Sequence, residues 1–370
     1  MKQPVQSAFR PAADAGSAPA HTGSFGLALL FSSILASPLL GAQAADSGAF
    51  IVRVGRDTTA IERFIRTGNR IEAVGLARSP TTVVRRYTLW LTPELAVERF
   101  RTERDGAAAA EAAGPHGGAP PLVAQFYLPW EVALMRAVRA GRDSLVVANG
   151  ENRVARELRR TGSEVTLLNQ FDGEMRARID DRGRILGITI AGGSSVERVR
   201  WLDFDALARD YAARDAAGRG MGVLSPRDSV GATVGGATVL VDYSRPALRG
   251  RTVESLAPPG AVWRTGANNA TTLRTSRSLQ FGDLTVPAGT YSLFTIPGRT
   301  GWTLILNRQT GQSGLAHDPA QDLGRVPMQV RALSAPVEQF TIVVGGEAAG
   351  GVLRLQWGRT EAFIPFRVVS

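Results

Sequence analysis

Alternation restricts this chain more than any other feature. From Phe50 to about Asp105, apolar and polar residues trade places with a period of two: Thr59-Ala60-Ile61-Glu62-Arg63-Phe64-Ile65-Arg66, the turn Thr67-Gly68-Asn69, then Ile71 to Leu76, then Thr82 to Leu91. A two-residue period puts one set of side chains on each face of a strand, whereas a helix needs a period of 3.6. Successive strands on short polar turns make an antiparallel meander.

The run from Gly106 to Pro121 is rich in Ala, Gly and Pro, includes Gly114-Pro115-His116-Gly117-Gly118, and reads as a mobile surface loop. Pro129 then opens a stretch, Trp130 to Val138, whose apolar residues recur at helical spacing, with proline placed where the first turn tolerates it. Further strands are expected at Ser144–Val147, Glu164–Leu168, Glu174–Ile179 and Ile185–Ile190, with turns at Asp172-Gly173 and Asp180 to Gly183. Asp203 is placed to cap a helix running to about residue 216, and a Gly-rich run to Gly222 ends the region. Residues 45–220 are therefore expected to form a curved antiparallel β-sheet domain with helices near 129–141 and 203–216. The pattern is similar to that of periplasmic lipoprotein-carrier half-barrels.

Beyond residue 221 the strands become short and regularly spaced. Val239–Tyr243, Tyr291–Ile296, Trp302–Leu306, Phe340–Val344 and Val352–Trp357 are parted by Gly/Pro turns such as Pro287-Ala288-Gly289, which predicts an antiparallel β-sandwich over 221–370. Trp302, Leu304 and Leu306 share one strand face, as do Leu353, Leu355 and Trp357, and both sets are expected in the core. The fold class expected for the whole chain is mainly β.

Several strings in this half are specific. Ser225-Pro226-Arg227, Asp242-Tyr243-Ser244-Arg245-Pro246, Arg249-Gly250-Arg251, Val262-Trp263-Arg264-Thr265-Gly266-Ala267-Asn268, Ala270-Thr271-Thr272 and Pro287 to Pro297 closely resemble the bacterial exported family known as domain of unknown function 2911, over about residues 223–370. The resemblance implies export and an all-β domain, and implies no activity. Asn269 stands where that family usually has an acidic residue, and Ser313 where it usually has tryptophan. The first departure argues mildly against acid/base work at this position.

The N-terminus carries its own signal. Gly26 to Leu40 is apolar, follows Lys2 and Arg10, and precedes Ala42-Gln43-Ala44, so residues 1–44 read as a secretory signal peptide, with an uncleaved N-terminal anchor as the alternative. The apolar run is shorter than the roughly 20 residues that cross a bilayer, and no later segment is apolar for that length, so no membrane span is expected after cleavage. The polar stretch before it is long for a signal, which leaves open a start codon downstream of Met1. A periplasmic or secreted location follows.

Composition removes chemistries. The chain has no cysteine and one lysine, Lys2, so the mature protein has no disulfide, no thiolate nucleophile, no Schiff-base lysine and no phosphate loop ending in Gly-Lys-Ser/Thr. His116 and His317 are the only histidines after cleavage and have no metal-ligand spacing, so a histidine-based zinc site is not expected; carboxylate acid/base chemistry, a lone-histidine triad and oxygen-ligated calcium survive, and no metal or cofactor is assigned. The net charge of +10 falls only to about +9 on losing Lys2, Arg10 and Asp14, yet arginines are interleaved with acids, as in Val97 to Arg104. Such a pattern suits solvated strand faces, and no nucleic-acid partner is expected.

The candidate site lies at Trp263, Arg264, Thr265, Asn268, Asn269 and Thr271, with Tyr243, Arg245 and Arg251 nearby in sequence. This segment is too polar for a core strand and too poor in charge for a plain solvated loop. Planar guanidinium forks there suit a carboxylate, phosphate or sugar acid; equally, the same groups suit the bracing of an irregular loop. Three functions remain open. The preferred one is a noncatalytic envelope module binding a small molecule or glycan. The others are a hydrolase using carboxylates from Asp242, Glu254, Asp283, Asp318, Asp322 and Glu338, and a structural or protein-interaction domain. His317 beside Asp318 reads as an exposed loop residue, and no nucleophile elbow is present.

Overall fold

A computed structural model of the chain describes residues 46–104, 107–169, 173–347 and 350–369. The expected signal peptide at 1–44 lies outside the described residues, as does Asp172 of the expected Asp172-Gly173 turn. The protein is mainly β, built from two antiparallel sheets.

The first sheet has two wings. One is β1 (Asp46–Val54), β2 (Asp57–Thr67), β3 (Arg70–Ala77), β4 (Val83–Leu91), β5 (Val97–Arg104) and β6 (Ala110–Ala113). The other, after helix α1 (Leu128–Arg139), is β7 (Ser144–Asn149), β8 (Asn152–Thr161), β9 (Glu164–Asn169), β10 (Gly173–Ile179), β11 (Ile185–Ile190) and β12 (Ser194–Val199). Each wing is a meander, and they join where β1 pairs with β12, giving twelve strands in the order β6-β5-β4-β3-β2-β1-β12-β11-β10-β9-β8-β7. Strands about 4.8 Å apart would spread a flat sheet of this size beyond about 50 Å. Instead residues of both wings share one core with α1, so the sheet curves around the helix.

Residue parity sorts the faces. Phe50, Phe64, Tyr87 and Leu89 pack with Val132 and Leu134 of α1, while Ala49, Ile61 and Leu76 pack on the opposite face with Phe204 and Tyr211 of α2 (Phe204–Ala216). Asp203 caps α2 by accepting from Ala206 N at 3.0 Å, as its sequence position suggested. The stretch Gly106–Pro121, expected as a mobile surface loop, carries regular structure among its described residues. Within it Ala110–Ala113 pairs with β5 as an edge strand and His116–Gly118 forms a 3-10 turn, because the unpaired backbone of β5 offers hydrogen bonds that a low-complexity segment can accept without needing side chains to pack.

Helix α1 is anchored by one carboxylate to each wing. Its N-cap position, Tyr127, makes no side-chain capping bond; Glu62 of β2 takes that role, its Oε2 accepting from Tyr127 N at 2.9 Å and Leu128 N at 3.0 Å while Tyr87 donates to its other oxygen. One turn further, Glu131 accepts from Ile185 N at 2.8 Å and Arg198 Nη1 at 2.6 Å, both on the second wing. Burial pushes the Glu62 carboxyl from its ordinary 4.5 to about 7, against the lowering effect of its three hydrogen bonds. Burial raises Glu131 as well, despite Arg198.

The second sheet follows α2. Its strands are β13 (Arg227–Val234), β14 (Ala237–Ser244), β15 (Thr271–Thr275), β16 (Ser278–Phe281), β17 (Leu284–Val286), β18 (Gly289–Ile296), β19 (Trp302–Asn307), β20 (Asp322–Glu347) and β21 (Gly350–Val369), with the short helix α3 (Val253–Leu256) after β14. The order is β13-β14-β15-β18-β19-β20-β21-β16-β17. Strand β20 pairs with β19 along its first part, shifts register near Ala332 and Val337, and then runs back past the end of β14, where Phe340 N donates to Pro246 O at 2.8 Å. The strands thereby fold over one core as a sandwich without closing into a barrel. Trp302, Leu304, Leu306, Leu353, Leu355 and Trp357 all lie in that core. The other face of β18 and β19 is covered too: Phe294 and Ile305 pack with Ala270.

Glu62 makes stability pH-dependent. A carboxyl raised in the folded state contributes stability that is fully present below about pH 4.5 and lost as pH rises through about 7. The Glu62→Gln protein, whose amide copies the protonated acid, should lose up to about 3 kcal/mol of that pH dependence in urea unfolding between pH 4.5 and 7.5. Glu62→Ala should cost about 2–4 kcal/mol at pH 5 by orphaning a phenol and two amides. Parallel pH profiles for wild type and Glu62→Gln would contradict this assignment.

Candidate functional site

The segment from Trp263 to Thr271 leaves the core and crosses the outer face of the second sheet. Trp263 starts inside: its ring stacks on Trp357 at 5.4 Å and meets Phe340 and Trp302 edge-on, and its backbone exchanges hydrogen bonds with Thr295 at 2.7 and 2.9 Å. Thr265, fully buried, then turns the chain with φ of 53°, and Asn268 adopts φ of 62°. A β-branched residue in the left-handed region is strained by about 1–3 kcal/mol and persists only where its surroundings fix it. Here Thr271 Oγ1 donates to Thr265 O at 2.6 Å and the Thr265 hydroxyl lies 3.2 Å from Thr295 Oγ1. Asn268 O accepts from Gly314 N at 2.9 Å and from Arg264 Nη1 at 3.3 Å, and Asn269 bridges to Ser313. The two kinks carry the segment across the sheet and leave Asn268 and Asn269 exposed.

The other sequence candidates divide by environment. Tyr243 is buried in the core, its hydroxyl accepting from Ile342 N at 3.0 Å with Phe340 packed edge-on. Arg245 braces the sandwich, donating to Phe340 O at 3.2 Å and Thr341 Oγ1 at 2.9 Å and pairing with Asp228 at 3.1 Å. Arg251 donates from all three nitrogens to main-chain carbonyls, Nε to Leu248 at 2.9 Å, Nη1 to Gly192 at 2.8 Å and Nη2 to Ala247 at 2.7 Å. Thr265 and Thr271 are internal fasteners.

Arg251, Trp263, Arg264, Asn268 and Asn269 nevertheless meet along one cleft of about 750 Å³, whose far wall comes from the first sheet through Val54, Tyr127 and Ile190. The cleft is held by a clasp. Arg56 N donates to Arg249 O at 2.8 Å, Arg249 Nη1 pairs with Asp57 at 2.6 Å, and Arg251 reaches Gly192 O, so the Arg249-Gly250-Arg251 string is bound to two turns of the first sheet. Arg249 and Ser313 also line the cleft, and neither stood among the sequence candidates. The repeated arginine of the Arg-Gly-Arg string was the available signal for Arg249.

The carboxylates considered for hydrolysis are placed elsewhere: none of Asp242, Glu254, Asp283, Asp318, Asp322 and Glu338 lines this cleft. His317 is partly buried against Phe294, and its Nε2 meets Asp322 Oδ1 at 2.8 Å, not the adjacent Asp318, which instead caps the turn at Ala320. Burial raises Asp322, but hydrogen bonds from Asn307, Arg325 and His317 hold it below the usual carboxylate range. Among the described residues no three or more His, Cys, Asp or Glu gather as metal ligands, and no helix is long and apolar enough to cross a membrane.

The clasp can be tested at a glycine. Gly55 has φ of 60°, and a Cβ there would sit 2.1 Å from the Arg249 carbonyl oxygen; Gly68 has the same φ with nothing within 4 Å. Gly68→Ala should cost about 1 kcal/mol for the backbone alone. Gly55→Ala should cost about 2–4 kcal/mol, since backbone must move to admit it. Equal losses in thermal unfolding would mean the clasp yields without resistance.

Among curated proteins, none matches the chain. Residues 225–366 match the model of a family described as protein of unknown function (DUF2911), so it is the C-terminal part of the chain, with the second sheet and the Trp263–Thr271 segment, that resembles this family.

Proposed function

We propose that this is an exported cell-envelope protein that binds a ligand without transforming it, and that the cleft beside Arg264 is the binding site. One observation carries the reading: the described lining of the cleft supplies guanidinium, amide and hydroxyl groups and lacks Asp, Glu and His. Such a lining can orient a polar ligand through several directed hydrogen bonds. It offers no group that takes up or releases a proton near neutral pH.

The backbone supports the same reading. Thr265 and Asn268 keep left-handed conformations that cost free energy, and strain of this kind clusters where a chain must present particular groups. Export is supported by the charged, apolar and small-residue order of positions 1–44.

Binding is measured with purified protein against a panel of envelope glycans and acidic metabolites. At least one should bind, and Arg264→Ala should weaken it about tenfold, the loss of a charge-assisted hydrogen bond. If wild type and Arg264→Ala bind every compound equally, the cleft is not the site. Export is checked by the intact mass of protein from a periplasmic extract: a mature chain beginning after Ala44 supports it, and a cytoplasmic, full-length product overturns it.

A further inference from the structure

Arg249, Arg251 and Arg264 border the cleft, and no described carboxylate does. Their charges are not equally balanced. Arg249 is ion-paired with Asp57 at 2.6 Å. Arg251 has no ion pair among the described residues, and its three nitrogens are satisfied by carbonyl oxygens of Leu248, Gly192 and Ala247. Carbonyl dipoles fix the orientation of a guanidinium and meet its donors, but they leave its unit charge in place. Burial, with Arg249 adding to it, pushes the Arg251 guanidinium below its ordinary value, and the more distant carboxylates of Glu338 and Asp57 offset this only in part. A partly buried charge is screened less than one in open solvent, so its field reaches into the cleft.

Apolar groups share the rest of the lining with serine hydroxyls and the amides of Asn268 and Asn269. Leu256, Pro258 and Leu315 lie on the second sheet's side and Val54 and Ile190 on the first's, and Leu315 leaves 43 % of its surface to solvent. A cleft with a positive wall and apolar patches discriminates by charge at one end of a ligand and by burial at the other.

Resting on the cleft as a binding site, we infer that its ligand is an anion with an apolar body, a carboxylate or phosphate held at Arg264 in the field of Arg251 with alkyl or aromatic carbon over Leu256 and Leu315. A lipid headgroup and a small organic phosphate share this chemistry.

The full chain is titrated calorimetrically with octyl phosphate and with octyl glucoside, which has the same tail and no charge. Octyl phosphate should bind at least about tenfold more tightly, and placing a carboxylate at the exposed rim with Asn269→Asp should weaken octyl phosphate about tenfold while leaving octyl glucoside unchanged. Inorganic phosphate is then added as competitor. Competition supports the inference with a small phosphate as source, and octyl phosphate binding that resists competition supports it with an amphiphile as source. Octyl glucoside binding as tightly as octyl phosphate overturns the anion inference and leaves the cleft a ligand site. Octyl phosphate binding untouched by both Asn269→Asp and Arg264→Gln overturns the location. Binding of neither probe at millimolar concentration overturns the inference, and the panel measurement above then decides the cleft separately.

Discussion

The buried carboxylate of Glu62 is the constraint on which the first half of the molecule depends. A twelve-stranded sheet has no intrinsic reason to stop curling at one radius, and α1 supplies that reason by filling the concavity. The helix in turn needs its position fixed, because its apolar face alone would tolerate sliding. Glu62 fixes one end from β2 and Glu131 ties the next turn to β11 and β12, so a single helix sets the spacing of both wings. Burying a charged carboxylate costs several kcal/mol, and here the hydrogen bonds to both oxygens of Glu62 offset that cost only in part, so the group holds its proton up to about pH 7. The same anchor reaches the cleft, for Tyr127, whose amide Glu62 holds, lines its far wall.

The second half depends on a different device. A sandwich core of Trp263, Trp302, Phe340 and Trp357 holds the strands, and arginines braced on main-chain oxygens hold the irregular segments. With no lysine after residue 2, every cationic task falls to guanidinium groups, whose planar forks suit multiple carbonyl contacts better than an ammonium would. Arginine is therefore both mortar and candidate recognition group in this chain, and residue type alone does not separate the two roles.

Sequence and structure agree where an element buries one face of large apolar residues and wets the other. The meander of β1 to β5, the helices near 129–141 and 203–216, and the core sets on β19 and β21 were legible because alternation or helical spacing survived in them. Strand β8, Asn152–Thr161, was missed since most of its residues are exposed and charged, leaving no apolar period, and β6 was missed because Ala and Glu on a sheet edge pack against nothing. At the candidate site the string Trp263 to Thr271 stood out by polarity, but polarity does not encode direction. Thr265 and Thr271 point inward and Arg264 borders the cleft because of two left-handed residues, and Arg251 was turned toward Gly192 by a contact some sixty positions away in the chain. Long-range pairing of that kind leaves no local trace.

The reach of Arg251 into the first sheet bears on how the chain can be dissected. Cutting near Gly222 looks natural, since composition changes there and the family match begins soon after. Such a cut would free the Nη1 of Arg251 from Gly192 and strip Arg249 of Asp57, leaving the Arg249 guanidinium to swing into the space that the opposing wall had bounded while Leu248 and Ala247 still hold Arg251. An isolated C-terminal fragment would thus keep its sandwich and lose the shape of its cleft, and ligand screens run on it would be sampling a different surface.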